Sequence, residues 1–174
     1  MDEAEILGAV AGGDERAVEA LYDAFADRLY GFGLRLLGEA GLAEELVQET
    51  FVRLWREARR FDSARGNAKT FIYTMARRLA IDIYRRPSSR RLELAPEEHA
   101  PGHAEQVVNT VVVGEALASI SPDHREVLEL LHFQQLTQTE AAVVLEIPLG
   151  TVKTRAFHAV RAMRKALEEH GIDA

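Results

Sequence analysis

The chain has 174 residues, 47% of them apolar, which suffices for one domain or two small ones with real cores. It has no cysteine, which excludes disulfides and cysteine-ligated zinc and fits a reducing cytoplasm. The acidic start Met1-Asp2-Glu3-Ala4-Glu5 has no signal-peptide character, and no apolar run approaches the ~20 residues that span a bilayer, so a cytoplasmic protein without membrane insertion is expected. The formal net charge is −7, but it is unevenly spread. Residues 1–50 carry 12 acids and 3 bases, and residues 51–91 carry 12 bases and 3 acids. Residues 92–150 carry 10 acids and 1 base, and residues 151–174 carry 5 bases and 3 acids. A single-purpose DNA binder is more often basic throughout. Two basic zones between acidic ones point to nucleic acid touched at two places and protein elsewhere.

Apolar residues recur at three- and four-residue steps and no run alternates with period two, so the predicted fold is all-α. A first helix is predicted from about Glu3 to Val10, ending at Gly12-Gly13. Asp14 then caps a long helix to about Leu37, with Val18, Leu21, Tyr22, Phe25, Leu29, Phe32 and Leu36 inward and with Gly31 and Gly33 free to bend it. A third helix runs from about Leu42 to Arg60 with Leu46, Thr50, Leu54 and Ala58 inward. A fourth spans about Ala68 to Arg86, with Ile72, Met75, Leu79 and Ile83 as core, and Pro87 stops it.

Residues 88–103 read as a flexible linker between an N-terminal domain, 1–87, and a C-terminal domain, 104–174, because Ser88, Ser89, Pro96, Pro101 and Gly102 interrupt any apolar period. Glu97, Glu98, His99 and His103 gather there, but nothing nearby would fix their geometry, so neither metal nor cofactor is assigned. Helices follow at about Ala104–Ile120, Pro122–Phe133, Thr139–Leu145 and Thr151–Glu169, the second started by Ser121-Pro122. The last two form a helix-turn-helix. Thr137 and Glu140 have capping-box spacing. Ala142 is small enough for a close crossing, Leu145, Ile147 and Val152 fill the angle, and Thr151 is the expected cap of the second helix. Glu146 stands where a left-handed backbone usually takes glycine. The second helix would then project Lys153, Thr154, Arg155 and His158, as a major-groove reader requires.

Three stretches together resemble an extracytoplasmic-function sigma factor, a promoter-specificity subunit of bacterial RNA polymerase. Ala43-Glu44-Glu45-Leu46-Val47-Gln48-Glu49-Thr50-Phe51-Val52-Arg53-Leu54-Trp55-Arg56 resembles the helix that binds core polymerase. Phe71-Ile72-Tyr73-Thr74-Met75-Ala76-Arg77-Arg78-Leu79-Ala80-Ile81-Asp82-Ile83-Tyr84-Arg85-Arg86 resembles the element that melts and reads the −10 region, and Ile147-Pro148-Leu149-Gly150-Thr151-Val152-Lys153-Thr154-Arg155 the −35 recognition helix. The resemblance implies that Glu45, Gln48, Glu49 and Trp55 contact core RNA polymerase. It implies that Asn67, Lys69, Phe71, Tyr73, Arg77, Arg78 and Arg85 handle single-stranded −10 DNA, combining a phosphate track with stacking faces, while the loop Phe61–Asn67 holds an unstacked base. Thr151, Lys153, Thr154, Arg155, His158 and Arg161 would serve duplex −35 DNA, with Arg155 and Arg161 on phosphates or salt-bridged within the domain. Phe71 replaces a frequent family tryptophan, Arg78 a frequent asparagine, and His158 a common arginine, so base preference is left open. The family is commonly held inactive by an anti-sigma factor, which makes such a protein an expected partner. A tether of about 16 residues reaches at most ~55 Å, enough for the roughly 50 Å of one and a half duplex turns.

Two rivals remain. A free-standing helix-turn-helix transcriptional regulator would bind promoters tightly without polymerase, and a sigma-like decoy would lack the basic aromatic helix. An enzyme is disfavoured: no nucleophile–base pair, metal spacing or glycine-rich phosphate loop is present in the sequence.

Overall fold

The computed structural model describes residues 2–86 and 113–169. These fall into two compact units, one holding residues 2–86 together with 143–146, the other the remaining described residues from 113 onward. No strand occurs among the described residues. The expected linker and its Glu97, Glu98, His99 and His103 lie outside them, as does the expected helix start at Ala104.

The N-terminal unit contains α1 (Glu3–Ala11), α2 (Glu15–Leu37), α3 (Ala40–Glu57) and α4 (Ala68–Arg85), with a single 3-10 turn at Ala58–Arg60 after α3. Local chemistry sets each boundary. Asp2 and Glu5 form a reciprocal capping box at α1, and the Asp14 carboxylate accepts from the Arg16 N–H at 2.9 Å. Gly38 ends α2 in the left-handed region (φ 75), its N–H returning to the Leu34 carbonyl at 2.9 Å. Asn67 caps α4 by accepting from the Thr70 N–H at 2.8 Å.

Helix α2 packs on α3, and α3 on α4, with α1 laid against α2. Their buried faces carry Leu21, Phe25, Leu29 and Phe32 from α2, Leu46 and Leu54 from α3, and Ile72, Tyr73 and Ile83 from α4. Each large apolar side chain removed from water contributes about 1.5–3 kcal/mol. The expected inward set on α3 and α4 is buried as read, and Thr50 Oγ1 satisfies itself on the Leu46 carbonyl at 2.7 Å. On α2 the stripe shifts: Tyr22 is exposed and Val18 and Leu36 are half-buried, while Ala17 and Gly33 are buried. Gly33 is a crossing point. A Cβ there would lie 3.1 Å from the Ala43 Cα and 3.0 Å from the Leu46 Cδ2.

In the C-terminal unit, residues 113–119 are helical and form the described part of α5. They are followed by α6 (Pro122–Leu128), a π turn at Glu129–Phe133, α7 (Gln138–Leu145) and α8 (Leu149–Glu169). Ser121 and Pro122 start α6 as expected, the serine hydroxyl accepting from the His124 N–H at 3.3 Å. Arg125 closes the end of α5 by donating to the carbonyls of Leu117, Ala118 and Ile120 at 2.8, 3.0 and 3.3 Å. Leu117, Ile120, Leu128 and Ala159 then share one core cluster. The single helix expected over Pro122–Phe133 instead widens after Leu128. The Gln134 N–H reaches the Glu129 carbonyl five residues back at 3.0 Å, and the wide turn lets the Gln134 amide donate to the buried Glu129 carboxylate at 2.7 Å.

The capping box at Thr137 is formed as read: the Thr137 N–H donates to Glu140 Oε2 at 2.7 Å and the Glu140 N–H to Thr137 Oγ1 at 3.2 Å. Glu146 adopts φ 57, the left-handed conformation expected of it, and Gln135 does the same at φ 56. Two details of the turn differ from expectation. Ala141, not Ala142, is the fully buried small residue. Thr151 does not cap α8: the helix begins two residues earlier because the Pro148 carbonyl accepts the N–H groups of Thr151 and Val152, at 2.9 and 3.1 Å. Proline cannot donate, which costs nothing ahead of a first turn.

Candidate polymerase and promoter surfaces

The outward face of α3 follows from its spacing. With Ala43, Leu46, Val47, Thr50 and Leu54 buried on one side of α3, the opposite arc faces solvent. Gln48 and Trp55 are exposed and Glu45 and Glu49 are half-exposed, with Val52 between them also exposed. Trp55 is not a core residue: half of its surface, 49%, is open. Tyr22 from α2 leans on Phe51 with ring centres 4.9 Å apart, which extends the apolar part of this face across two helices. The two carboxylates are not free. The Arg86 guanidinium, from the end of α4, bonds Glu45 through Nη1 and Glu49 through Nη2, the latter at 2.8 Å. Its bond to Glu49 and that carboxylate's charge hold Arg86 more firmly protonated than an ordinary arginine.

On α4 the expected DNA residues divide. Arg78 and Arg85 are exposed, as is Tyr84, while Arg77 is half-buried. Phe71 is half-buried and meets the ring of Phe61 at 5.5 Å. Phe61, Asn67, Phe71, Thr74 and Met75 line one concave surface, rimmed by Arg53, Arg60 and Arg65. The loop and the helix face named for base capture thus lie side by side. Arg65 belongs to the loop named for base capture; Arg53 and Arg60, each paired with Glu57 at 3.1 Å, fall outside the −10 motif, and only their place in the basic zone 51–91 could have found them.

Tyr73 is a correction. At 1% exposure it is part of the core, its ring edge-on to Phe32 at 5.3 Å, so it offers no face to a base. The reason is periodic: Tyr73 shares the buried arc of α4 with Ala76 and Ala80, and an aromatic residue type does not reveal its side. Lys69 is tied to α1, with Nζ 3.8 Å from Glu3, and Asn67 spends its side-chain oxygen on the helix cap.

On α8 the buried residues Val152, Ala156, Ala159 and Ala166 leave the opposite arc open. Lys153, Thr154, Phe157, His158 and Arg161 share that arc and are exposed. The Thr154 hydroxyl donates back to the Gly150 carbonyl at 3.0 Å and keeps its lone pairs outward. Arg161 sits 5.5 Å from the Phe157 ring centre, and His158 meets the same ring edge-on at 5.4 Å. Arg155 departs from this group: it borders the buried arc and pairs with Asp123 of α6 at 2.6 Å. Phe157, 59% exposed, was missed by the sequence reading. Its position four residues after Lys153 on a reading helix was the available signal.

The fold and these faces define a two-part helical transcription factor, and known proteins agree. The family Sigma-70 region 2 matches residues 21–91, and Sigma-70, region 4 matches residues 116–165. The ECF RNA polymerase sigma factor SigL of Mycobacterium tuberculosis is 33% identical over 175 residues, covering 97% of this chain and 98% of that protein. SigK of Mycobacterium bovis is 32% identical over 173 residues, covering 94% and 92%. The solved structure of the sigma factor RpoE in complex with the anti-sigma factor NepR from Bartonella quintana superposes with a TM-score of 0.73. It covers 86% of this chain and 96% of that one at 21% identity, a likeness of fold. This chain belongs to the sigma-70 family, among the extracytoplasmic-function RNA polymerase sigma factors. It is an alternative sigma factor, which joins core RNA polymerase and directs initiation at promoters. No helix among the described residues is long and apolar enough to cross a membrane.

Proposed function

We propose a division of labour among the three faces. Glu45, Gln48, Glu49 and Trp55 dock on core polymerase, where charge complementarity sets register and encounter rate more than affinity. Arg77, Arg78 and Arg85 track the phosphates of the melted −10 strand, with Tyr84 and Phe71 as stacking faces and the Phe61–Asn67 loop receiving an extruded base. Lys69 and Asn67 support this face through α1 and the helix cap rather than through direct bonds. Lys153, Thr154 and His158 read base edges of the duplex −35 element, Arg161 and Thr151 serve phosphates, and Phe157 supplies an apolar surface that suits a thymine methyl. Arg155 braces α8 on α6. The protein performs no chemistry of its own, works in the cytoplasm, and is held in reserve by an anti-sigma factor, as RpoE is bound by NepR in the neighbouring structure.

The observation that carries this reading is the pairing, within one small unit, of the acid, amide and tryptophan face of α3 with the cationic aromatic face of α4. A free-standing helix-turn-helix regulator has no use for the first. The α8 assignment is tested by reconstituted run-off transcription with Lys153→Ala, Thr154→Ala on matched templates. Loss of about tenfold is expected on the cognate −35 promoter and little change on a template with a scrambled −35 sequence. Equal loss on both templates would remove base reading from α8.

A further inference from the structure

Arg85 and Arg86 are adjacent in sequence but turn to different tasks. Arg85 ends α4 and points to solvent with the other basic residues of that helix. Arg86 precedes Pro87, and a residue before proline is driven out of the helical region into extended backbone. It sits at φ −67, ψ 137. That single change of backbone takes its side chain off the basic track of α4 and brings it across to α3. There it spans Glu45 and Glu49, one helical turn apart, with one terminal nitrogen on each.

We propose that Arg86 is a positioning residue for the polymerase-binding face and not part of the DNA track, which deepens the assignment of Glu45 and Glu49 and rests on it. Two carboxylates at i and i+4 on one helix repel each other, and each glutamate has three torsions to sample. The planar fork of one guanidinium removes the repulsion and fixes both side chains at once. It uses Oε1 of each glutamate and leaves both Oε2 atoms without a partner among the described residues. A cationic group on the polymerase can therefore add to the face without displacing Arg86. The face is prepared, not masked. The same bond anchors the end of α4 beside the proposed polymerase-binding face of α3.

The test is equilibrium and kinetic binding of the full chain to bacterial core RNA polymerase with no DNA present, for the parent, Arg86→Ala and Arg86→Lys. Both variants are expected to bind about fivefold more weakly, lysine included, because it keeps the charge and loses the fork. Removing both acids by Glu45→Ala, Glu49→Ala should weaken binding by itself, and adding Arg86→Ala to that background should cost nothing further. A role confined to folding would instead add its loss in every background and lower the melting temperature. Parent-like or tighter core binding by Arg86→Ala would overturn the proposal, as would a loss that appears only when promoter DNA is added. If the double glutamate variant binds as the parent does, the α3 assignment itself falls. If that variant is weakened while Arg86→Ala is not, only the role of Arg86 falls.

Discussion

Gln135 and Glu146 both hold a left-handed backbone, at φ 56 and φ 57, one on either side of α7. A side chain there is tolerated at a cost of about 1 kcal/mol, and glycine has no such cost. Gln135 is exposed, so its replacement leaves little unpacked. Gln135→Gly is expected to stabilise the C-terminal unit by up to about 1 kcal/mol, partly offset by the greater freedom of glycine in the unfolded chain. Denaturant melts followed by helical circular dichroism measure this, and an equal destabilisation would show that the strain is not there. Residue identity also proved a poor guide to which side of a helix does the work. Tyr73 reads as a stacking residue by type and is buried against Phe32, while Tyr84, eleven residues on, is exposed on the outer face.

The helices themselves were legible because their ends are written in side chains that bond the adjacent backbone. Asp14, Ser121 and the Thr137–Glu140 pair all cap as their spacing implied, since each bond lies within three residues. Features that no cap motif writes were not legible. The π turn at Glu129–Phe133 depends on a buried Glu129–Gln134 bond, and the shift of α8 to Leu149 on a carbonyl ahead of the helix. Gly33 is the clearest case, since two glycines in one helix look alike in sequence. A Cβ on Gly31 would meet only the movable guanidinium of Arg35, with Nη2 at 3.0 Å, whereas one on Gly33 would press on the backbone of Ala43. Gly31→Ala should therefore be neutral or stabilising by up to about 1 kcal/mol through helix propensity. Gly33→Ala should destabilise by about 1–3 kcal/mol, as overpacking does. Thermal melts of the two variants distinguish them, and equal shifts would refute the close α2–α3 crossing.

At the scale of the whole molecule, the charge blocks and the three faces describe a protein that needs a larger partner. The basic zone 51–91 carries the proposed −10 face, and the acidic zones on either side, each with a net charge of −9, repel duplex DNA. Within 1–50, two of the acids are Glu45 and Glu49, which are already organised by Arg86. In the proposed assignment these two of the opposing acids face polymerase, so assembly would convert part of an electrostatic penalty into a contact. The division of the sequence into blocks was visible in composition alone. Which acids would form the docking face was not visible in composition: the resemblance singled out Glu45 and Glu49, and Glu44 differs from them only by its angle around α3.

The most direct measurement is promoter binding by the purified chain with and without stoichiometric bacterial core RNA polymerase at physiological salt, beside co-migration of chain and core on gel filtration. The expected result is co-migration with core, weak and unselective DNA binding by the chain alone, and tight promoter-specific binding by the assembled pair. Nanomolar promoter-specific binding by the free chain, together with failure to co-migrate with core, would contradict the account.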